Sequence, residues 1–275
     1  MCIRDRGVFG RVVSNVIKGM CVGGSMLIPG VSGGSMAMIL GIYNELISAV
    51  SSFFKNKRNN IALLGTFGIG GIIGILLFAK PLLYLTDTYT FPMMYFFMGA
   101  VLGSIPMIYK QAEIKKISIR SVLYTLVGFI IISLISFIPK ELFDVDLRSG
   151  IMDYLLLVIA GVVSAVALVL PGISTSYMLL VLGMYEETMK AIDEFYLPYL
   201  IPLGIGLFIG VVFTTKILDK AMTSYSEAAY LIILGFVIGS VIQVFPGIPS
   251  GINIIISLFT LFIGYFLIRK LSNIT

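Results

Sequence analysis

Residues 27–35, LIPGVSGGS, interrupt a hydrophobic stretch of the chain. Apolar runs precede the interruption at 20–28 and follow it at 36–40. A proline breaks a helix because it has no N–H to donate, and the glycines and serines after it leave backbone groups and hydroxyls exposed. Residues 169–177, VLPGISTSY, form a second break of the same kind. The sequence therefore predicts two broken helical regions, at 14–50 and 153–191.

The composition is typical of an integral membrane protein. Of the 275 residues, 58% are hydrophobic and 12% are charged, whereas soluble domains are about 25% charged. The mean hydropathy is +1.05. The chain has no His and two Cys, which excludes His-based metal sites, His general bases and a disulfide framework. We therefore expect a multi-pass membrane protein with no metal and no cofactor.

The first six residues, MCIRDR, resemble a translated transposon end of the kind used to prepare sequencing libraries. We expect residues 1–6 to be a non-native lead-in and assign them no function. The segment after them is too polar for a cleavable signal peptide, and no A-x-A site follows.

Six unbroken hydrophobic runs approach or exceed the length of about 20 residues that a membrane crossing needs. The predicted transmembrane helices cover 61–85, 91–109, 121–139, 199–215, 228–245 and 252–268. The two arms of each broken region are shorter than this. We therefore predict that both broken regions are re-entrant helical hairpins, which enter and leave the membrane by one face.

The two halves of the chain match each other at a nearly constant shift. In the broken regions, Gly19, Pro29, Gly30, Ser32, Met36, Leu40, Gly41, Tyr43, Glu45 and Ala49 pair with Gly161, Pro171, Gly172, Ser174, Met178, Leu182, Gly183, Tyr185, Glu187 and Ala191. Downstream, paired glycines and the pair Lys80 and Lys216 continue the match. The chain is therefore predicted to be a duplication, with repeats at 7–140 and 152–275.

Basic residues collect on one side when the N-terminus is placed in the cytoplasm. Inside lie Arg11, Lys18, Lys55, Lys57, Arg58, Lys110, Lys115, Lys116, Arg120, Lys216, Lys220, Arg269 and Lys270. Outside lie Lys80, Lys140, Arg148 and Lys190, with Asp87, Glu141, Asp144, Asp146, Asp153, Glu186, Glu187, Asp193 and Glu194. Three crossings follow the first hairpin, so the second hairpin enters from the opposite side. The predicted fold class is an all-α polytopic membrane protein, an inverted tandem repeat whose halves each combine a re-entrant helical hairpin with three transmembrane helices.

The hairpin tips are the candidate binding site. New helices are predicted to begin near 33–35 and 175–177, where free N–H groups and a positive dipole end face the break. Together the tips form a predicted anion cradle suited to phosphate, made of Gly30, Ser32, Gly33, Gly34, Ser35, Gly172, Ser174, Thr175 and Ser176. The alternative is a pair of kinked helices in which Ser caps the helix and Gly serves packing.

Paired residues near the tips supply further candidates. Glu45 and Glu187 lie a few turns beyond the tips, where a carboxylate could couple transport to a proton or sodium gradient. The alternative for both is a solvated residue at a helix end. Tyr43 and Tyr185 either hydrogen-bond the site or anchor the interface. Lys80 and Lys216, placed at helix ends, either snorkel to headgroups or help to gather an anionic one.

At this point the residues resemble a known family. IPGVSGGSMAMILGIYNELI (28–47) and LPGISTSYMLLVLGMYEETM (170–189) are similar to the paired signatures of the PopT-type polyprenyl-phosphate transporters, long catalogued as a domain-of-unknown-function membrane family. The resemblance covers the chain after residue 7. Thr175 departs from the pattern, since the family usually has Gly there; a Thr keeps a hydroxyl at the second tip but reduces access to its backbone.

The resemblance implies a function. It implies movement of undecaprenyl phosphate, the carrier lipid of envelope polymers, from the outer to the inner leaflet of the bacterial or archaeal cytoplasmic membrane. The expected partners are this lipid and the membrane lipids around it, not nucleic acid, and a homo-oligomer is left open. A transporter or channel for a small anion is the alternative, because the same cradle suits chloride, sulfate or phosphate. An enzyme is not expected, because no His and no carboxylate pair beside an Arg is present near the tips.

Overall fold

The computed structural model describes residues 2–26, 32–114, 118–136 and 151–272. Twelve α-helices and a short 3-10 helix, Phe53–Lys55, make up the secondary structure of these residues. The helices are α1 (Cys2–Ser25), α2 (Gly33–Ile39), α3 (Tyr43–Ser51), α4 (Lys57–Thr88), α5 (Thr90–Gln111), α6 (Ile119–Ser136), α7 (Ile151–Val169), α8 (Thr175–Val181), α9 (Tyr185–Asp193), α10 (Leu197–Ser224), α11 (Ser226–Val244) and α12 (Asn253–Ser272).

Several helices have the length and composition of membrane spans, which confirms the predicted class of helical membrane protein. Five qualify in the described part of the chain, namely Lys57–Phe78, Thr90–Gln111, Met152–Val169, Leu197–Ser224 and Asn253–Lys270. The number rises to six if the bent pair α2 and α3 counts as one span. All six predicted transmembrane segments fall on helices, namely α4, α5, α6, α10, α11 and α12. Residues 137–139 of the segment 121–139 lie outside the described residues.

The helix α7 is longer than the sequence argument assumed for an arm of a hairpin. Its 19 residues extend about 28 Å at 1.5 Å per residue, close to the hydrocarbon thickness of about 30 Å. The re-entrant interpretation of 153–191 therefore depends on the break after Val169 and not on the length of this arm. The helix α8, with seven residues, extends only about 10 Å beyond the break.

The second arm of each broken region is itself interrupted, which the sequence analysis did not predict. Gly41 has a φ of +64°, and the N–H groups of Ile42 and Gly41 donate to the carbonyls of Ala37 and Met38, both at 3.0 Å. This pattern is a Schellman motif, which ends α2. The chain then bends by 117° into α3.

The same device ends α8 in the second half of the chain. Gly183 has a φ of +77°, and the N–H of Met184 donates to the carbonyl of Leu179 at 2.9 Å. An L side chain rarely adopts this backbone conformation, so glycine is required at both positions. The paired Leu-Gly dipeptides at 40–41 and 182–183 were the available signal in the sequence.

Glycines allow the long helices to pack in close pairs. The helix α1 packs against α4, α7 against α10, α5 against α12 and α6 against α11. A Cβ at Gly70 would collide with the carbonyl of Val16, and one at Gly206 would collide with that of Val158. Small residues at such positions let helix backbones approach closely in membranes.

The short helix α2 lies in the interior of the protein. It packs against α1, α3, α5, α7 and α12, and its side chains Met38 and Ile39 are 1% and 2% exposed. The central pair α5 and α11 completes the core around it. Ser32, the residue before α2, is 3% exposed, so the start of this helix is surrounded by protein.

Candidate functional site

The two breaks lie directly against each other. The backbone N–H of Gly172 donates to Ser35 Oγ at 2.8 Å. A Cβ on Gly34 would lie 3.1 Å from both the nitrogen of Pro171 and the carbonyl oxygen of Val169. A side chain at 34 would therefore push the two segments apart. We name this contact between 32–35 and 169–174 the tip junction.

Serines cap the helices that start at the tip junction. Ser32 Oγ accepts a hydrogen bond from the N–H of Ser35 at 3.3 Å, and Ser174 Oγ accepts one from the N–H of Tyr177 at 3.4 Å. Both serines are buried. Ser32 Oγ also lies 3.4 Å from the carbonyl of Leu170, to which it donates. Both hydroxyls thus act as N-caps, and that of Ser32 also contacts the other tip.

Tyr43 joins the tip junction from α3. Its hydroxyl donates to the carbonyl oxygen of Val169 at 2.8 Å, and the side chain is 3% exposed. The carbonyls of Val169 and Leu170 lie at the C-terminal end of α7, where the last carbonyls of a helix have no donor within it. The first half of the chain therefore supplies donors to the carbonyls that end α7.

The glycines of the tips differ in what they require. Gly172 has a φ of +89°, and a Cβ there would lie 2.6 Å from the backbone carbon of Phe236 in α11. Both conformation and space therefore exclude a side chain. A Cβ on Gly33 would meet only the flexible side chain of Met26, with Sδ at 2.9 Å. Gly30 lies outside the described residues, as does the side chain of Ser176.

Thr175 is the first residue of α8 and is half-buried. It follows directly on Ser174, which caps the helix, so its side chain lies next to the tip junction in sequence. The helix starts at Gly33 and Thr175 agree with the predicted starts near 33–35 and 175–177.

A half-enclosed cavity of about 240 Å³ borders the tip junction at Gly33 and Gly34. Side chains of α1, α3, α4, α7 and α10 line the rest of it, and nearly all are hydrocarbon. We name it the apolar cavity. An amphipathic ligand with its charge at the tip junction would therefore meet an apolar surface directly beside that charge.

Two further hydrogen bonds connect α3 to the second half of the chain. Asn44 Nδ2 donates to the hydroxyl of Tyr230 at 2.8 Å, and Ser51 Oγ donates to Asp219 Oδ2 at 2.7 Å. Neither pair was singled out from the sequence, because each joins residues far apart in the chain.

A second pocket, of about 320 Å³, borders α3 at Asn44 and Ile47, and we name it the polar pocket. Its lining includes Asn44, Gln111, Glu113 and Asp219. Ile47 lines both this pocket and the apolar cavity. The helix α3 therefore borders both the apolar cavity and the polar pocket.

The remaining candidates lie away from the tip junction. Glu45 and Glu187 are exposed in the first turns of α3 and α9, where a carboxylate interacts favourably with the helix dipole. Tyr185 is half-buried at the start of α9.

Two placements made from the sequence need correction. Lys80 and Lys216 are exposed on α4 and α10, about two turns before each helix ends; they are not at helix ends, because α4 and α10 continue beyond the hydrophobic runs. Asp153, assigned to an outer loop, lies in the first turn of α7 and is 4% exposed.

Comparison with known proteins identifies the family. The model of the undecaprenyl phosphate translocase-like family matches residues 22–255. A polyprenyl-phosphate transporter of Staphylococcus aureus is 34% identical over 95% of this chain and 96% of its own length. A polyprenyl-phosphate transporter of Vibrio cholerae is 29% identical over 85% of this chain and 78% of its own. No solved structure matches. The chain belongs to the undecaprenyl phosphate translocase-like family, a family of transporters and not of enzymes.

Proposed function

We propose that this member of the undecaprenyl phosphate translocase-like family moves a polyprenyl phosphate, undecaprenyl phosphate in bacteria, from the outer to the inner leaflet of the cytoplasmic membrane. The observation that carries the proposal is the apolar cavity beside the tip junction. A single phosphate on a long hydrocarbon chain needs both environments side by side. The excess of basic residues in the predicted inner loops supports the proposal that both termini lie in the cytoplasm.

The phosphate is proposed to bind between the tips. Its oxygens would accept from the hydroxyls of Ser32, Ser35, Ser174 and Thr175 and from the N–H of Gly172. That N–H now donates to Ser35 Oγ, so the ligand exchanges a neutral hydrogen bond for a charge-assisted one, which is about twice as strong. The helices α2 and α8 have seven residues each, so hydroxyls and N–H groups contribute more than a helix dipole would.

Movement of two halves against each other is the proposed route across the membrane. The repeated pairs, α1 with α4 and α7 with α10, support an inverted repeat whose units move as bodies. The helix α3 packs on α10, whereas among the described helices α9 makes no comparable contact with α4. We propose a second conformation in which α9 packs on α4 and α3 no longer packs on α10. The tip junction would then open to one side of the membrane in one conformation and to the other side in the other.

A transporter or channel for a small anion remains the competing function, and it makes a different demand on the surroundings. A hydrated ion needs polar groups along its path, because an unsatisfied charge in hydrocarbon is costly. The apolar lining beside Gly33 and Gly34 favours a lipid.

Reconstitution tests the proposal. The protein is placed in liposomes that contain undecaprenyl phosphate, and leaflet exchange is measured with and without a pH or sodium gradient. We expect exchange above that of protein-free liposomes, and loss of it in the Gly172→Val variant. Uptake of phosphate or chloride without lipid exchange would assign the protein to small anions instead.

A further inference from the structure

The apolar cavity has a composition that selects its occupant. Among the described residues that line it, the two with hydroxyl-bearing side chains are Tyr43 and Thr215. Tyr43 donates to the carbonyl of Val169 at 2.8 Å, and Thr215 Oγ1 donates to the carbonyl of Val211 at 2.7 Å. Both hydroxyl protons are already used inside the protein, so the cavity presents hydrocarbon to whatever enters it.

The size of the cavity limits the length of chain that fits. A dry engineered cavity of about 150 Å³ holds benzene, which has six carbons. At about 240 Å³, the cavity has room for about two five-carbon isoprene units by the same measure. Water would find few polar partners there, and a water needs two to four of them.

The position of the cavity connects it to both the tips and the lipid. Gly33 and Gly34 border it on the side of the tip junction, while Leu64 and Phe67 of α4 and Val211 of α10 border it elsewhere. Within the described residues, no extensive contact joins α4 to α10. A chain that leaves the cavity on this side would pass between these two helices.

We propose that the apolar cavity is the subsite for the one or two isoprene units next to the phosphate, with the rest of the chain in the lipid between α4 and α10. This inference depends on the proposed function and adds the basis of its lipid selectivity. Lipid tails are as apolar as the cavity, so the cavity gains little from the hydrophobic effect and selects by shape and polarity.

Phosphatidic acid is the informative competitor. Its phosphate is the same, but ester carbonyls follow within a few bonds. In the cavity those carbonyls would be buried without a donor, which is unfavourable. A prenyl chain has no such groups, so the subsite is expected to accept a polyprenyl phosphate and reject phosphatidic acid.

The chain has no Trp, so a single introduced Trp reports on the cavity alone. The Phe67→Trp variant is titrated in nanodiscs with a prenyl phosphate, phosphatidic acid or inorganic phosphate. We expect a saturable change in fluorescence with the prenyl phosphate only. The matched control is Phe213→Trp, since Phe213 of α10 is exposed at 66% and is expected to give no saturable change. An equal response to phosphatidic acid would overturn the assignment.

A transport measurement distinguishes a failure of the proposed subsite from a failure of the proposed function. The larger side chain of the Val211→Phe variant fills the cavity. We expect lipid exchange to fall by about tenfold or more, because an overpacked site weakens binding of the chain by about that factor. Ile209→Phe adds similar bulk to the exposed face of the same helix and is expected to exchange normally. Normal exchange by Val211→Phe, with an active wild type, would overturn the subsite and leave the proposed function standing. No exchange by the wild type would overturn both.

Discussion

Ser35 and Gly172 are 137 positions apart in the chain, yet Ser35 Oγ accepts the backbone N–H of Gly172 at 2.8 Å. Both residues are buried. The bond therefore links the start of α2 to the segment that follows the end of α7. The N–H of Gly172 that it uses is the donor proposed to bind the phosphate.

Ser35→Ala tests this bond. The change leaves the N–H of Gly172 buried without its acceptor, and we expect a loss of stability of about 1–3 kcal/mol, together with a lower rate of lipid exchange. Thermal unfolding in detergent and liposome exchange measure the two effects. Ser48→Ala on the exposed side of α3 is the control. If Ser35→Ala matches the wild type in both, the bond has no role.

Gly172→Ala tests the backbone conformation of the second tip. A left-handed conformation costs an L residue about 1–2 kcal/mol, and the added Cβ would in addition press on Phe236. Gly247→Ala is a matched control, because Gly247 has a φ of +95° but nothing within 4 Å of an added Cβ. We expect Gly172→Ala to lower the unfolding temperature more than Gly247→Ala does. Equal shifts would show that the contact with Phe236 relaxes at no cost.

Tyr43→Phe tests whether Tyr43 supports the tip or anchors the interface. Removal of the hydroxyl leaves the carbonyl of Val169 without this donor, and we expect a loss of about 1–3 kcal/mol and slower exchange. Tyr185→Phe, at the paired position in the sequence, removes a half-buried hydroxyl and is expected to change little. Equal effects of the two changes would favour the interfacial role.

Cysteine labelling tests the predicted topology. Single Cys residues at positions 56 and 193, in a background without Cys2 and Cys21, are treated with an impermeant reagent in oriented vesicles. We expect labelling from opposite sides, because an inverted repeat puts these positions at opposite faces. Labelling from the same side would contradict the inverted arrangement.

Glu45→Gln and Glu187→Gln test the coupling role. Each change keeps the size of the side chain and removes the charge. If these carboxylates carry the coupling proton, lipid exchange depends less steeply on pH in the variants, since the proton-carrying groups have been removed. A pH profile equal to that of the wild type would show that neither carboxylate carries the coupling proton, and that both are only exposed residues in the first turns of their helices.

Much of the local structure followed from the sequence. The helix starts at Gly33 and Thr175 could be predicted because Ser is a preferred N-cap and Pro-Gly ends the preceding helix. Hydrophobic length predicted the candidate spans on α4, α5, α10 and α12, but α6 and α11 are shorter apolar helices, and α7, predicted as the arm of a hairpin, has the length of a span. Gly41 and Gly183 were noted as paired residues, but the requirement for a positive φ at those positions was missed.

The tertiary features could not be predicted in the same way. The bond between Gly172 and Ser35 depends on how two distant segments pack. The apolar cavity depends on space that side chains from five helices and α2 leave unfilled, and no pattern along the chain encodes that space. Lys80 and Lys216 were misplaced because hydropathy marks where an apolar run ends and not where a helix ends.

The position of Ile47, which borders both the apolar cavity and the polar pocket, has a thermodynamic consequence. A shift of α3 that enlarges one compartment reduces the other, so their occupancies are linked. Suppose that a lipid in the apolar cavity favours one position of α3. The affinity of the polar pocket for a ligand of its own must then change by the same coupling free energy. A solute in the polar pocket would thus change the affinity of the protein for its lipid without contacting the phosphate.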